Sequence, residues 1–548
     1  MHRMTRNIED AKIAAPFQGE SLSLGDDRAT LETRGGHRFV RVDAKGRPSQ
    51  AYRVTRVIGG RHREDFVGIL EGDTSATAED ELILPVSYLI DSKRLRYKGY
   101  SVMVRERPRL AAGPVWNKTC PFCHNTVPLL ATLYGALGSS KMPAYQGEVV
   151  DRLLEDDRAF RYRVTDEQAF EGALDREAQR LGGSPRTGTL PSRLRQTIET
   201  TRDRFTGAKL LEVGIGCEAC HGGAREHAEN PAIRPSLLPT APYLDVQSSV
   251  GTTTAGDIEN HACARCHQVL FSRYPWTWEG GRRHAMPGGS HISSGEGRDL
   301  LLGGCKGALH CTSCHDPHAS DESARLAELE TPKGNTVCLP CHTALAAPDA
   351  LRKHAHHDPL GAGGACIACH MAKKNLSLDG RLSRYHRIGS PTDTERVVGD
   401  RPFECALCHA DRSVRQLTES MEAWWGKRYD REALVRSYGD LDANVLRSTV
   451  QRGRPHEKAV AMFVLGEAHD ASAAPLFAAE LRDEYPLVRG YAASALRSTF
   501  GDACDIDLSV DRAALDAALA RCAAVSRLTF PLTSAKVAGP VDESPIED

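Results

Sequence analysis

The order of apolar and polar positions changes character five times along the chain. Residues 1–28 are polar and read as a lead-in arm. From 29 to 107 short β-branched and aromatic runs such as Phe39–Val42, Tyr52–Ile58 and Leu82–Val86 stand between turn formers, Lys45-Gly46-Arg47-Pro48 and Gly59-Gly60 among them, which predicts a small β domain. Leu130, Leu133 and Leu137 then share one helical face, and polar segments over Asp151–Gln179 and Ser192–Lys209 predict scaffold helices around a Gly/Pro loop at Gly182–Pro191. Residues 217–425 lack sustained periodicity and predict helices with long loops and hardly any sheet. From 431 to 529 the chain is Ala-rich and helical. Lys458–Asp470 and Arg489–Asp502 match, with Leu465 and Leu496 in equivalent places, a repeat of roughly 31 residues that suits stacked helix pairs, an ordinary helical bundle being the alternative. Residues 530–548 read as a disordered acidic tail. The expected fold is therefore mainly α with long loops, a small N-terminal β domain and a C-terminal α-helical repeat domain.

Chemistry concentrates in the middle segment, 108–425. The string Cys-x-x-Cys-His occurs seven times, at Cys120/Cys123/His124, Cys217/Cys220/His221, Cys263/Cys266/His267, Cys311/Cys314/His315, Cys338/Cys341/His342, Cys366/Cys369/His370 and Cys405/Cys408/His409. Paired cysteines at this spacing also bind zinc or iron–sulfur clusters or do thiol redox chemistry, but none of those needs His directly after the second Cys. The pentapeptide is the attachment signature of c-type haem. Two thioethers hold the porphyrin edge and the His reaches iron as proximal ligand. Seven covalent haems c are the cofactors expected. From the second motif onward the first cysteines are separated by 46, 48, 27, 28 and 39 residues. That is too little chain for a separate core around each haem, so neighbouring porphyrins must pack on one another.

Composition refines this picture. Aromatic residues make up 6% of the 548, as expected where porphyrins supply apolar bulk, and a formal charge of −2 gives no basis for nucleic-acid binding. Of 17 cysteines, Cys305, Cys504 and Cys522 lie outside the motifs; the last two either bridge or pack as buried thiols. Haem c is attached on the outer side of the energy-transducing membrane, so a periplasmic or extracellular location is expected, although Met1–Gln18 shows no signal-peptide core and no apolar run has membrane-spanning length.

A distal His would close each iron for electron transfer; an open position would admit substrate. Ten spare histidines lie near the motifs: His227, His261, His284, His291, His310, His318, His354, His356, His357 and His386. His227, His318, His386 and one of the pair His356/His357 are the favoured metal ligands, with His284 and His291 as further candidates. His261 and His310 abut a motif and are badly placed, and Met371 directly follows its own motif's His370. No His lies between His124 and His221, so the first haem needs a distant ligand such as His37, His62 or a spare from the dense region. If any iron is open, this is the one expected. No catalytic residue can be assigned.

Several strings together resemble multihaem cytochromes c related to pentahaem nitrite reductase, hydroxylamine oxidoreductase and small tetrahaem electron carriers. They are Trp116-Asn-Lys-Thr-Cys120-Pro-Phe-Cys123-His124, Cys217-Glu-Ala-Cys220-His221 with His227 six residues on, Cys311-Thr-Ser-Cys314-His315-Asp-Pro-His318, His354-Ala-His356-His357 before Cys366, Tyr385-His386, and Arg401-Pro-Phe-Glu-Cys405. Pro486-Leu-Val-Arg489 before an Ala-rich helix resembles a HEAT repeat, as in the large multihaem proteins with helical-repeat C-termini. The resemblance covers roughly residues 29–525 and implies a multihaem cytochrome c core. It implies electron exchange with redox proteins, such as other cytochromes or a membrane quinol-oxidising complex, and leaves homo- or hetero-oligomers through the β domain or repeats open. The nitrite reductases end the catalytic motif in Lys, whereas His124 stands here. A carrier of electrons is thus the expected function, with a reductase or oxidase of small nitrogen or sulfur compounds as the alternative. Acid–acetone extraction should leave seven haems on the polypeptide, read as a seven-haem increment in intact mass; a smaller increment refutes the count.

Overall fold

A computed structural model describes residues 4–75, 80–98, 109–113, 115–128, 160–184, 187–204, 206–238, 241–248, 254–267, 295–377, 380–483, 486–508, 510 and 512–526. The chain divides into two units, Met1–Arg273 and Tyr274–Asp548, and the division falls inside the segment expected as one haem domain.

The first unit is built on an eight-stranded antiparallel sheet: β1 (Thr5–Asn7), β2 (Ser21–Leu24), β3 (Asp27–Arg34), β4 (His37–Asp43), β5 (Gln50–Gly59), β6 (Arg63–Leu70), β7 (Leu82–Leu89) and β8 (Arg94–Tyr97). Strands β2 to β8 pair in sequence order and β1 pairs with β5. Strands β2 and β8 approach each other, so the sheet curls. Alternate positions fill its interior: Ala29, Leu31, Val40, Val57, Phe66, Leu84 and Val86 are fully buried. The lead-in arm expected over residues 1–28 is instead part of this domain. Ile8, Ala15 and Phe17 enter the core, and Phe17 meets Phe66 edge-on at 5.1 Å. The buried Glu64 carboxylate accepts the Ala14 and Ala15 N–H groups, which satisfies backbone that would otherwise lack partners.

After the sheet, the polar stretch expected to be helical from Asp151 contains a strand. Phe160-Arg-Tyr-Arg-Val164 (β9) alternates with period two and pairs with Leu244–Ser248 (β10). The helix α1 begins only at Glu167 and runs to Arg180, capped by Asp166, whose side chain accepts the Ala169 N–H. Helix α2 (Leu190–Arg204) carries Pro191 in its first turn, and α3 (Ala255–Ala264) leads into the third motif. Leu130, Leu133 and Leu137 lie outside the described residues, as does the tail.

The second unit consists of short helices and 3-10 turns over 295–413, with one ribbon of β11 (Lys373–Leu376) and β12 (Leu382–Arg384). Helix α4 (Pro348–Ala355) precedes the sixth motif. Seven helices follow the seventh motif: α5 (Val414–Trp425), α6 (Arg431–Tyr438), α7 (Val445–Arg452), α8 (Pro455–Glu467), α9 (Ala474–Glu480), α10 (Pro486–Phe500) and α11 (Arg512–Ser526). Ser413 and Gln416 form a reciprocal capping box at the start of α5, and Gly426, at φ 65°, ends it. Helices α8 and α10 pack closely: Leu465 and Leu496 are fully buried, and a Cβ on Gly466 would lie 2.9 Å from Ala495 Cα. Among the described residues no helix is long and apolar enough to cross a membrane.

Cys504 and Cys522 are joined in a disulfide across 18 residues, both fully buried, tying the end of α10 to α11. Closing a loop of that size contributes roughly 3 kcal/mol through the unfolded chain. The Cys504→Ser/Cys522→Ser double variant is expected to lose about that much in denaturant unfolding, and alkylation of the unfolded, unreduced protein should leave both positions unlabelled.

Candidate haem sites

Each motif is one helical turn. The N–H of the His donates to the carbonyl of the first Cys in six of them: 3.2 Å for His124, 2.8 Å for His221, and 3.0 Å for His267, His315, His342 and His409. The remaining motif is itself the helix Cys366–His370. This geometry presents two thiols and an imidazole from a single turn, as a porphyrin bound through two vinyl edges and its iron requires.

In the first unit the β domain carries the first motif. Trp116, fully buried, donates its backbone N–H to Glu81 O at 2.6 Å, and the Arg56 guanidinium, itself held by Glu81 at 2.8 Å, lies 4.7 Å over its indole. Thr5 donates to the carbonyl of His124 at 3.1 Å. The His124 imidazole is pushed down to about 4, chiefly by burial and then by Lys98, and so is neutral, the form that ligates iron. The third motif bridges the other two. Arg265 donates to Ala219 O at 2.5 Å, and the thiols of Cys123 and Cys266 share a hydrogen bond. His227 turns its Nδ1 to Ile233 O at 2.7 Å, which leaves Nε2 as its lone-pair nitrogen. His37 heads β4 on an exposed edge, and His62 lies in the β5–β6 turn, 3.8 Å from Asp91.

The second unit shows a recurring arrangement. His315 faces His386 with ring centres 6.3 Å apart, His370 faces His354 at 6.0 Å, and His409 faces His357 at 6.1 Å. A metal–imidazole bond is about 2 Å and the ring centre lies about 1.1 Å behind its nitrogen, so two rings on opposite faces of one iron have centres roughly 6.2 Å apart. Four of these rings are locked through Nδ1: His315 to Glu322 at 3.3 Å, His370 to Gly389 O and His386 to Arg384 O at 2.9 Å, and His357 to Ala355 O at 2.7 Å. Donation from Nδ1 fixes the tautomer that offers Nε2 to a metal. Burial pushes His386 and His354 down, which keeps them neutral. Among the described residues no group of three or more His, Cys, Asp or Glu is gathered for a bare metal ion.

Of the expected ligands, His386 and His357 take facing positions. His356 sits in the left-handed region at φ 54° and stacks on Trp424 at 4.9 Å. His354, passed over in favour of its neighbours, faces His370. No local signal separates it from His356 and His357, because the left-handed His356 ends α4 between them. His318 is exposed in the turn after the fourth motif, and His284 and His291 lie outside the described residues.

The motif cysteines also succeed one another in space. Cys338 acts electrostatically on Cys314, the Cys338 and Cys366 thiols share a hydrogen bond, and Cys408 acts electrostatically on Cys369. The last two motifs are held by a buried charge network. Lys374, with no exposure, donates to Asp400 O at 2.7 Å and lies 3.0 Å from Asp400 Oδ2, while Arg396 donates to Glu404 Oε1 at 3.0 Å. Burial alone would raise the Asp400 carboxyl, but Lys374 outweighs it and the net displacement is downward. Glu404, beside Cys405, is raised by burial.

A family model described as a doubled CXXCH motif matches residues 306–347, the stretch with the fourth and fifth motifs. No curated protein matches the chain, and no solved structure does. The motifs indicate covalently attached haem c, and the match supports a multihaem c-type cytochrome.

Replacing Lys374 by Met removes the buried cation beside the Asp400 and Glu404 carboxylates, and the loss of one buried partner should destabilise the second unit by about 3–5 kcal/mol in denaturant titrations of the holoprotein. A loss under about 1 kcal/mol would show that the network is not structural.

Proposed function

We propose that the chain is an exported heptahaem cytochrome, periplasmic or extracellular, that moves electrons along a row of closely packed, mostly bis-His haems. The observation that carries this reading is the set of three facing imidazole pairs, each formed by a motif His and a distant His at the spacing one iron fits. His386, His354 and His357 are the distal ligands assigned to the haems of His315, His370 and His409; His227, with its free Nε2, is a distal candidate in the first unit. A six-coordinate, low-spin iron changes little on reduction, so such haems suit transfer rather than substrate binding. The succession of Cys314, Cys338, Cys366, Cys369 and Cys408 supports direct contact between consecutive porphyrins. The buried disulfide supports an oxidising compartment.

In this reading the β domain and the C-terminal helices serve partners, other cytochromes or a quinol-oxidising complex, or further copies of the chain. The tight packing of α8 on α10 through equivalent positions supports a HEAT-like pair. Replacing His386, His354 or His357 singly by Ala should convert one haem in seven from low-spin to high-spin in the oxidised spectrum and create carbon monoxide binding after reduction. Unchanged spin states in all three variants would refute the assignments.

A further inference from the structure

The fifth motif differs from its neighbours in the second unit. The turn is well formed, yet the His342 imidazole makes no ring contact and no hydrogen bond among the described residues, in contrast to the facing rings of His315, His370 and His409. His354, on which His342 acts electrostatically, is already turned to His370. His357 and His386 are turned to other motifs, and the His310 side chain accepts the Ser313 N–H in the capping box that opens the fourth motif. The Nδ1 acceptor that locks His315 and His370 has no counterpart at His342. Its haem also stands inside the row. Cys338 acts electrostatically on Cys314 and Cys305, and its thiol shares a hydrogen bond with that of Cys366.

We propose that the haem borne by Cys338, Cys341 and His342 keeps its sixth coordination position open to a small exogenous ligand. Ferrous iron there takes a diatomic π-acceptor such as carbon monoxide or nitric oxide, and ferric iron takes a small anion such as cyanide. This rests on the haem-row reading above and puts the open iron at a haem other than that of His124, the one expected from the sequence if any iron were open. A ligand bound there has a closed haem neighbour on each side, at the fourth and sixth motifs.

The test uses the full holoprotein. Oxidised, it should show one high-spin haem among low-spin ones by electron paramagnetic resonance; reduced, carbon monoxide should shift about one haem in seven. Cys338→Ala/Cys341→Ala should lower the intact mass by one haem and abolish the carbon monoxide-sensitive fraction, leaving the low-spin signals in place. Cys120→Ala/Cys123→Ala, which removes the first haem instead, should keep that fraction. A fully low-spin, carbon monoxide-silent protein overturns the proposal, as does a carbon monoxide shift that survives the first variant or disappears in the second. A wild-type mass short of seven haems, or carbon monoxide binding at several haems of the untreated protein, fails the haem-row reading itself and this proposal with it.

Discussion

The facing imidazole pair is the interaction on which the second unit depends. Its segments between 295 and 413 are short turns and loops with little apolar side chain to bury, and helices of four to eight residues are unstable alone. In the proposed reading a pair such as His315 and His386 would join points far apart in sequence through one metal, closing a long loop as a disulfide does. The porphyrin would add the apolar area that the chain lacks. Haem attachment and folding are on this account one process, and the polypeptide around 295–413 has no reason to hold its shape before the cofactor arrives.

The first unit is arranged on another basis. Its sheet has an orthodox apolar interior, built on alternation that is visible in the sequence, and it presents the first motif through Trp116, Arg56 and Glu81. These residues belong to the β domain's own packing and are not haem ligands. A rigid support of this kind fixes where the first porphyrin stands without help from its iron.

Much of this was legible in the residues. The motifs name their own chemistry, the strands from Asp27 to Tyr97 show as β-branched and aromatic runs between turn formers, and the C-terminal helices show as Ala-rich, repeating segments. What escaped was governed by long-range packing. The arm over residues 1–28 looks polar because few of its side chains, Ile8, Ala15, Phe17 and Leu22 among them, enter the core, and Glu64, which accepts the Ala14 and Ala15 N–H groups, lies some fifty positions away. The fates of His354, His356 and His357 turn on one left-handed residue at the end of α4. It sends three neighbouring imidazoles to His370, Trp424 and His409, and no local pattern announces such a turn at a histidine.

That same corner has an optical consequence. Trp425 donates its indole N–H to His354 O at 2.8 Å, and Trp424, nearly half exposed, stacks on His356, which stands between the two histidines proposed as distal ligands. Two indoles so close to porphyrins lose their emission by energy transfer to the haem absorption bands. The polypeptide would glow on ultraviolet excitation only while the cofactors are missing or the corner is undone, so that it contains its own fluorescent gauge of maturation.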